Sequence, residues 1–350
     1  MSSYLDPHGL LAQIGFNSLV AQARESLADV QGILARVINL SRSNSVIHTG
    51  VESYEARVMP PLALAAPTVV GDWVLATSDA NGDWWISNRL TPYSEINRIE
   101  PSGGRQALVT NVDSAFLVMG LDGDFNLRRL ERYIVLARSA GALPVVVLTK
   151  ADLCTDVDVR LDSLSERLPA AIERYAVNAT DPDTLECLAP YVKLGQTAVL
   201  LGSSGTGKST LTNALTRGFT QTTSAVRSSD SRGRHTTTGR HIRQIPEGGC
   251  LIDTPGLRGL RLDIDQVSLD NAFEDVSKFA ADCRFRDCQH RAEPGCAVRD
   301  GVPADRLANY HKLCREVIRD RADPLARQRA KTEIKSLMRA VRAMQKQRRR

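Results

Sequence analysis

A chain of 350 residues with 42% hydrophobic content is long enough for two or three buried cores. No run approaches the roughly 18 apolar residues of a membrane span, and the opening MSSYLDPHGLL lacks the basic-then-apolar order of a secretion signal; a cytoplasmic protein with no membrane partner is expected. The net charge of +5 is unevenly spread: residues 321–350 hold eleven Lys or Arg against Asp323 and Glu333, so the first 320 carry about −4, which suggests an anionic partner such as nucleic acid, or else a solvated helical face.

Residues 1 to about 30 have helical periodicity (Leu10, Leu11, Ile14, then Leu19, Val20) and no recognisable chemistry; they form a docking extension. From Gly32 to about Arg98 short runs with β-branched residues and turns follow: ILARVINL, SVIHTG, EARVMP, VVGDWVLAT and DWWISNRL. Val69 to Val74 and Trp84 to Ile86 are strand segments bounded by Gly-Asp and Asn-Gly-Asp turns. Five or so short strands in this space predict a small barrel of the oligonucleotide-binding (OB) type. Trp73, Trp84, Trp85 and Tyr93 either fill it or stack on bases.

The period then changes. Ser114–Leu121 is an apolar strand, Leu127–Ala140 a helix and Leu143–Leu148 another strand, a βαβ unit with a right-handed crossover. The second strand runs into Thr149-Lys150-Ala151-Asp152. A carboxylate at a strand's C-terminal end sits where open α/β sheets bind ligands, and Asp152 can accept both the ring N–H and the exocyclic amine of guanine, a donor pair that adenine lacks. A helix over Val159–Ile172 precedes a short strand, Tyr175-Ala176-Val177, which enters the small-residue loop Asn178-Ala179, fit to lie against a base.

Ala198–Leu201 is an apolar strand that breaks into Gly202-Ser203-Ser204-Gly205-Thr206-Gly207-Lys208-Ser209-Thr210, after which helical spacing resumes at Leu211, Ala214 and Leu215. Glycines let successive backbone N–H groups turn around an oxyanion, Lys208 reaches the terminal phosphates, and the Ser209 hydroxyl is placed for Mg²⁺. The helix start adds its positive dipole end. Downstream, Gly233-Arg234-His235-Thr236-Thr237-Thr238-Gly239 is a hydroxyl-rich loop, and the strand Cys250-Leu251-Ile252 delivers Asp253-Thr254-Pro255-Gly256. Asp253 can hold Mg²⁺ through water, and the Gly256 N–H can touch the terminal phosphate.

Seven cysteines, none before Cys154, suggest metal binding before disulfides. Cys283-x₄-Cys288-x-His290-x₅-Cys296 offers three thiolates and an imidazole within fourteen positions, the closed tetrahedral set of one structural Zn²⁺. Zinc would tie down a segment too polar to make its own core, with Arg284, Arg286 and Arg291 on a rigid loop able to meet RNA phosphates. Cys250 and Cys314 stand apart as buried thiols. Helices are predicted over Ala304–Arg319 and Asp323–Gln347.

A phosphate loop, a Thr-bearing loop, DTPG, TKAD and a small-residue loop are the parts of a GTPase, with the last two here placed first, as in a circular permutation. This order, with a β-rich region before it and the Cys/His cluster after it, resembles the RsgA (YjeQ) family of small ribosomal subunit biogenesis GTPases over about residues 30–315. Two positions depart from the family pattern: Thr149 replaces the usual Asn, and Asn178-Ala179 the usual Ser-Ala. Behind the N-terminal helical extension (1–30), the resemblance implies an OB-fold barrel (31–103), a circularly permuted P-loop GTPase α/β domain (104–268) and a zinc-binding α-helical domain, which with the basic tail makes 269–350. It also implies a monomer that hydrolyses GTP to GDP with Mg²⁺ when stimulated by the small ribosomal subunit and its rRNA, and assists late subunit maturation.

On this reading Thr149, Lys150 and Asp152 hold the base, and residues Gly202 through Thr210, with Asp253 and Gly256, hold the phosphates. Ser209 and Thr237 hold Mg²⁺. Leu257 stands where many GTPases carry the Gln that orients the attacking water, so intrinsic hydrolysis is expected to be slow. Lys208, Thr237 and His235 are the catalytic candidates, His235 either positioning water or contacting RNA or phosphate. The competing readings are an RNA-binding checkpoint protein with little need for turnover, and a phosphate-loop ATPase or kinase, against which Asp152, the zinc cluster and the basic tail all argue.

Overall fold

A computed structural model describes residues 7–40, 44–65, 67–100, 104–217, 240–246, 248–254 and 261–321. His235, Thr236, Thr237, Gly256, Leu257 and the basic tail from residue 322 lie outside the described residues.

Two short helices open the chain, α1 (Pro7–Ala12) and α2 (Ser18–Glu25). The Asn17 carboxamide caps α2 by accepting from the Leu19 and Val20 N–H groups. Next come β1 (Ile33–Leu40), β2 (Ser45–His48), β3 (Ser53–Val58), α3 (Pro60–Ala65), β4 (Trp73–Ser78) and β5 (Trp84–Arg89). β1 pairs with both β2 and β4, β2 with β3, β3 with β5 in parallel and β5 with β4, so the five strands close on themselves as the expected barrel. Ala35, Val37, Ile47, Ala56, Val74, Ala76 and Ile86 fill it. β4 is buried on both faces: Val74 and Ala76 point inward, while Trp73 and Leu75 pack outside against Leu11, Ile14 and Val20 of the N-terminal segment. Trp73 is therefore a core residue, and Tyr93 packs beside it. Trp84 stacks on Tyr54 with ring centroids 4.5 Å apart, and Trp85 carries the Arg57 guanidinium at 5.7 Å.

The segment predicted as strand from Val69 instead begins β4 at Trp73. Val69 N–H donates to the Asp72 carboxylate at 2.9 Å, Asp72 N–H returns to Val69 O, and Gly71 at φ +101° presses on Thr110 O where no Cβ would fit. The turn closes through Val69 and Asp72, while the Gly71 N–H and Asp72 O still bond to Val37 of β1 and Val70 O accepts from the Thr110 N–H.

Beyond the barrel the elements are β6 (Glu95–Ile99), β7 (Arg105–Thr110), β8 (Ser114–Gly120), α4 (Leu127–Ser139), β9 (Leu143–Thr149), α5 (Val157–Arg167), β10 (Glu173–Ala176), 3₁₀ turns over Pro182–Tyr191, β11 (Thr197–Leu201), α6 (Lys208–Leu215), β12 (His241–Gln244), β13 (Cys250–Asp253) and β14 (Arg261–Leu262). Four helices finish the described chain: α7 (Gln266–Ala272), α8 (Glu274–Ala280), α9 (Ala297–Gly301) and α10 (Ala304–Arg321). The helix predicted to reach Ile172 stops at Arg167, because Leu168 precedes Pro169 and takes an extended conformation.

The main sheet has the order β10-β9-β8-β11-β13-β12, parallel except for β12, and β12 also pairs with β1 at His241 and Asn39. Barrel and sheet thus share one hydrogen-bonded ladder. β6, β7 and β14 make a separate three-stranded sheet. One face of the main sheet packs on α6 and the 3₁₀ segment through Leu185, Leu188, Leu211 and Leu215. The other packs on α4 and, through it, on Leu269, Phe273, Leu313 and Val317 of the C-terminal helices.

Candidate functional site

β11, buried at all five positions, lies between β8, which precedes it in the chain, and β13, which follows it. This reversal of chain order opens a crevice at the strands' C-terminal ends, and Gly202 to Gly207 fill it. A Cβ on Gly202 would stand 2.4 Å from Val118 O, and Gly207, at φ +85°, lies against the Thr149 side chain, so close approach demands glycine at both ends of the loop. Within the loop Thr206 Oγ1 donates to Ser203 O at 3.0 Å. Lys208 starts α6 and is only 8% exposed; its ammonium donates to Gly202 O at 2.9 Å and Ser203 O at 2.6 Å. Ser204, Gly205, Ser209 and Thr210 are exposed on the open side.

Burial lowers the pKa of Lys208, opposed by the charges of Asp253 and Asp124, and burial raises that of Asp253, opposed first by Lys208. Two opposite charges thus face one desolvated cradle. Ser203 Oγ is buried with no hydrogen-bond partner of good geometry, the Tyr133 phenol being its neighbour. An oxyanion seated in the loop would satisfy Ser203 and the Lys208 ammonium together, so the residues present fit a phosphate chain. Just past β13 the Thr254 hydroxyl donates to Leu200 O at 2.6 Å and ties the end of that strand to β11.

The TKAD residues meet the phosphate loop directly. Thr149 Oγ1, buried, donates to Thr206 O at 2.6 Å, and the Lys150 ammonium donates to Gly205 O at 2.9 Å. Lys150 takes the left-handed conformation, φ 63°, and also pairs with Asp122 at 2.6 Å. That pair, chiefly its hydrogen bond, lowers the pKa of Asp122. Asp152 is exposed on a single 3₁₀ turn over Ala151–Leu153. The Ala151 N–H reaches Val177 O at 3.3 Å, which brings the small-residue loop alongside. There the Asn178 carboxamide oxygen accepts from both the N–H and the hydroxyl of Thr180, so this side chain shapes the loop.

In the C-terminal region Cys283, Cys288, His290 and Cys296 bring all four ligand atoms within 4.8 Å of one another. Cys283 Sγ lies 3.9 Å from Cys296 Sγ, and His290 Nδ1 lies 3.6 Å and 3.5 Å from those two sulfurs. A tetrahedral zinc with ordinary bond lengths has S···S edges of about 3.8 Å and S···N edges of about 3.5 Å. The three edges among Cys283, His290 and Cys296 match those values, and Cys288 lies within 4.8 Å of each, so the donor set suits the ion. Glu293 stiffens the loop by accepting from the N–H groups of Gln289, Arg291 and Ala292, and His311 of α10 contacts Gln289 O at 3.1 Å. Arg284, Arg286 and Arg291 are exposed on it.

The model of the RsgA GTPase family matches residues 91–263. The small ribosomal subunit biogenesis GTPases RsgA of Xanthomonas axonopodis pv. citri and Xanthomonas oryzae pv. oryzae are 44% and 43% identical to this chain over 303 residues, which covers 83% of it and 82% of each relative. The chain belongs to the RsgA GTPase family. Its fold is similar to that of YjeQ from Thermotoga maritima (TM-score 0.60, 24% identity, 81% of this chain and 98% of that one). It is also similar to YloQ, a circularly permuted GTPase (TM-score 0.57, 25% identity, 84% and 97%).

For this RsgA family member the sequence left the roles of three supporting residues unmarked: Asp122 beside Lys150, Tyr133 beside Ser203, and Thr254, which bonds to Leu200 of β11. Asp122 had a readable signal. It lies two residues past the end of the apolar strand β8, near a strand's C-terminal end as Asp152 and Asp253 are.

Proposed function

We propose that the chain binds GTP in this crevice and hydrolyses it to GDP, and that the small ribosomal subunit and its rRNA are the partner that sets the rate. The observation that carries the reading is the seam between the base-side and phosphate loops, Thr149 to Thr206 and Lys150 to Gly205. It fixes the guanine-selecting Asp152 at a constant reach from Lys208. In this assignment the backbone from Gly202 to Gly207, with Lys208 and Thr210, holds the phosphate chain, and Asp152 receives the guanine donors. Ser209, Thr237 and, through water, Asp253 hold Mg²⁺. That ion would neutralise charge on the phosphate oxygens. Gly256 would offer its N–H to the terminal phosphate.

Leu257 cannot orient water, so the chain alone turns over slowly, and His235 positions the attacking water when the subunit is bound. Cys283, Cys288, His290 and Cys296 hold one structural Zn²⁺, and Arg284, Arg286 and Arg291 contact rRNA phosphates. The protein acts as a cytoplasmic monomer; no helix among the described residues is long and apolar enough to cross a membrane. GTP turnover measured with small subunits, large subunits and neither tests the reading. Stimulation by small subunits alone is expected, with His235→Ala losing that stimulation and keeping the basal rate. Stimulation by both subunits or by neither would overturn the partner, and unchanged stimulation in His235→Ala would overturn the role of His235.

A further inference from the structure

A cavity of about 310 Å³ lies between the first turns of α4 and the middle of α10, at the lower end of the ~300–1,000 Å³ span of small-ligand sites. Its wall carries Arg128, Arg129, Arg132 and Lys312, with Asn126 and Asn309, and none of its eight lining residues is acidic. None comes from the phosphate loop or from the base-side loops. The carboxylates that balance these cations stand behind the wall: Asp124 holds Arg129 at 2.7 Å, Glu316 holds Arg132, and Asp305 reaches Arg128 only at 3.9 Å.

Among the described residues the Lys312 ammonium, exposed at the cavity, has no ion pair or hydrogen bond, and behind it Arg129 Nε is buried without a hydrogen-bond partner. Arg129 and Arg132 are held by their carboxylates, so the charge still open to an anion is that of Lys312 and of Arg128, whose Asp305 stands 3.9 Å away. The N-terminal end of the 13-residue α4, capped by Asn126, points its partial positive charge to the same place.

The geometry points to a second phosphate-binding site in this cavity, distinct from the nucleotide crevice and spanning the α4–α10 junction. A phosphate group matches the planar donors of Arg128 and Arg129 and the point charge of Lys312. It could belong to a free pyrophosphate-bearing molecule or to an RNA backbone, both of which present the same oxygens. The site also bears on the nucleotide crevice. Arg129 is shared with Asp124, whose charge acts on Lys208, so an anion that draws on Arg129 changes the field at the phosphate loop.

The test uses the full zinc-loaded chain with its crevice saturated by GDP and Mg²⁺, GDP binding being measured first so that failure of the nucleotide reading is seen separately. Inorganic pyrophosphate and a single-stranded oligouridylate are then titrated into the parent, the Arg128→Glu/Lys312→Glu pair, and Lys193→Glu, a charge reversal at another exposed site. The paired variant should bind one probe at least roughly tenfold more weakly, the loss of one charge-assisted hydrogen bond or more. Lys193→Glu should bind as the parent does, and basal GTP turnover should be unchanged in both. Loss of pyrophosphate binding identifies a free anion as the ligand, and loss confined to the oligouridylate identifies the RNA backbone. Binding of neither probe, equal binding by parent and paired variant, or an equal loss in Lys193→Glu would overturn the site. Lys312→Met, which removes charge without adding any, serves if the paired variant fails to fold.

Discussion

Lys150 adopts a left-handed backbone, rare and costly for a residue with a side chain, and from that position its ammonium ties together Asp122 and Gly205. A single strained residue thereby locks the base-side loop to the phosphate loop, which leaves Asp152 free to face a ligand. Asp152→Asn should lower GDP affinity roughly 30-fold or more, because one of two charge-assisted bonds to guanine becomes repulsive. Competition by ADP, expected to be absent in the parent, should then approach competition by GDP; titration of a fluorescent GDP analogue checks both. Thr149 and Lys150 could be marked from sequence by their place after an apolar strand. Asn178 could not be resolved, because only its contact with Thr180 reveals that the side chain is spent on the loop itself.

Glu293 carries a second residue-scale expectation. Backbone N–H groups, its own and that of Arg291 first, depress its carboxyl to about 2 from an ordinary 4.5. For a depressed acid the contribution is fully present above the unfolded value and is lost as pH falls through about 2. The extra zinc retention of the parent over Glu293→Gln should therefore be the same at pH 6 and pH 8. A difference that shrinks between those values would contradict the assignment. Zinc release followed with a colorimetric chelator measures it.

Among the elements, α4 does the most to connect the chemistry to the rest of the protein. Its Tyr133 sits by the phosphate loop, and its Glu131, only 1% exposed, accepts from Arg167 Nε at 2.5 Å, Arg306 Nη1 at 2.6 Å and Asn309 Nδ2 at 2.5 Å. Arg306 in turn grips Asp275 with two bonds and lies over the Phe273 ring at 4.4 Å. Glu131→Ala would take a buried acceptor from Arg167, Arg306 and Asn309 while Arg306 keeps Asp275 and Arg167 keeps Asp305, and should cost about 2–3 kcal/mol in denaturant unfolding, whereas the apolar pair Glu131→Leu/Arg306→Met should cost less than the single change. The helical period of α4 is plain in its sequence; Glu131 sits on the buried face for a reason that lies 175 residues away. α5 shows the converse, a boundary that one local signal, Pro169, decided.

Over the whole molecule, the shared ladder of β1 and β12 and a single buried guanidinium join parts that are far apart in sequence. Arg36, fully buried, donates to Ile14 O, Thr197 Oγ1 and Asn111 O at 2.6–2.7 Å, and it lies 5.5 Å from the Trp73 ring. It thus touches the N-terminal extension, the strand that leads to the phosphate loop and the turn before β8. In the sequence it is one arginine inside an apolar strand. The C-terminal helices likewise share a continuous apolar cluster with α4 and the main sheet, so the Cys₃His loop is anchored to the same core that carries the nucleotide crevice.

What the sequence determined alone was chemistry held in short contiguous stretches. Gly202 to Ser209, TKAD and the fourteen positions from Cys283 to Cys296 carry their geometry in local spacing, and alternation in five short runs was enough for the barrel. Tertiary structure alone decided which distant groups complete one another: Asp122 with Lys150, Glu131 with Arg306, and Arg36 with three segments. The physical reason is that a buried charge is tolerated only where partners converge on it, and in this chain most such partners come from remote positions that no local pattern records.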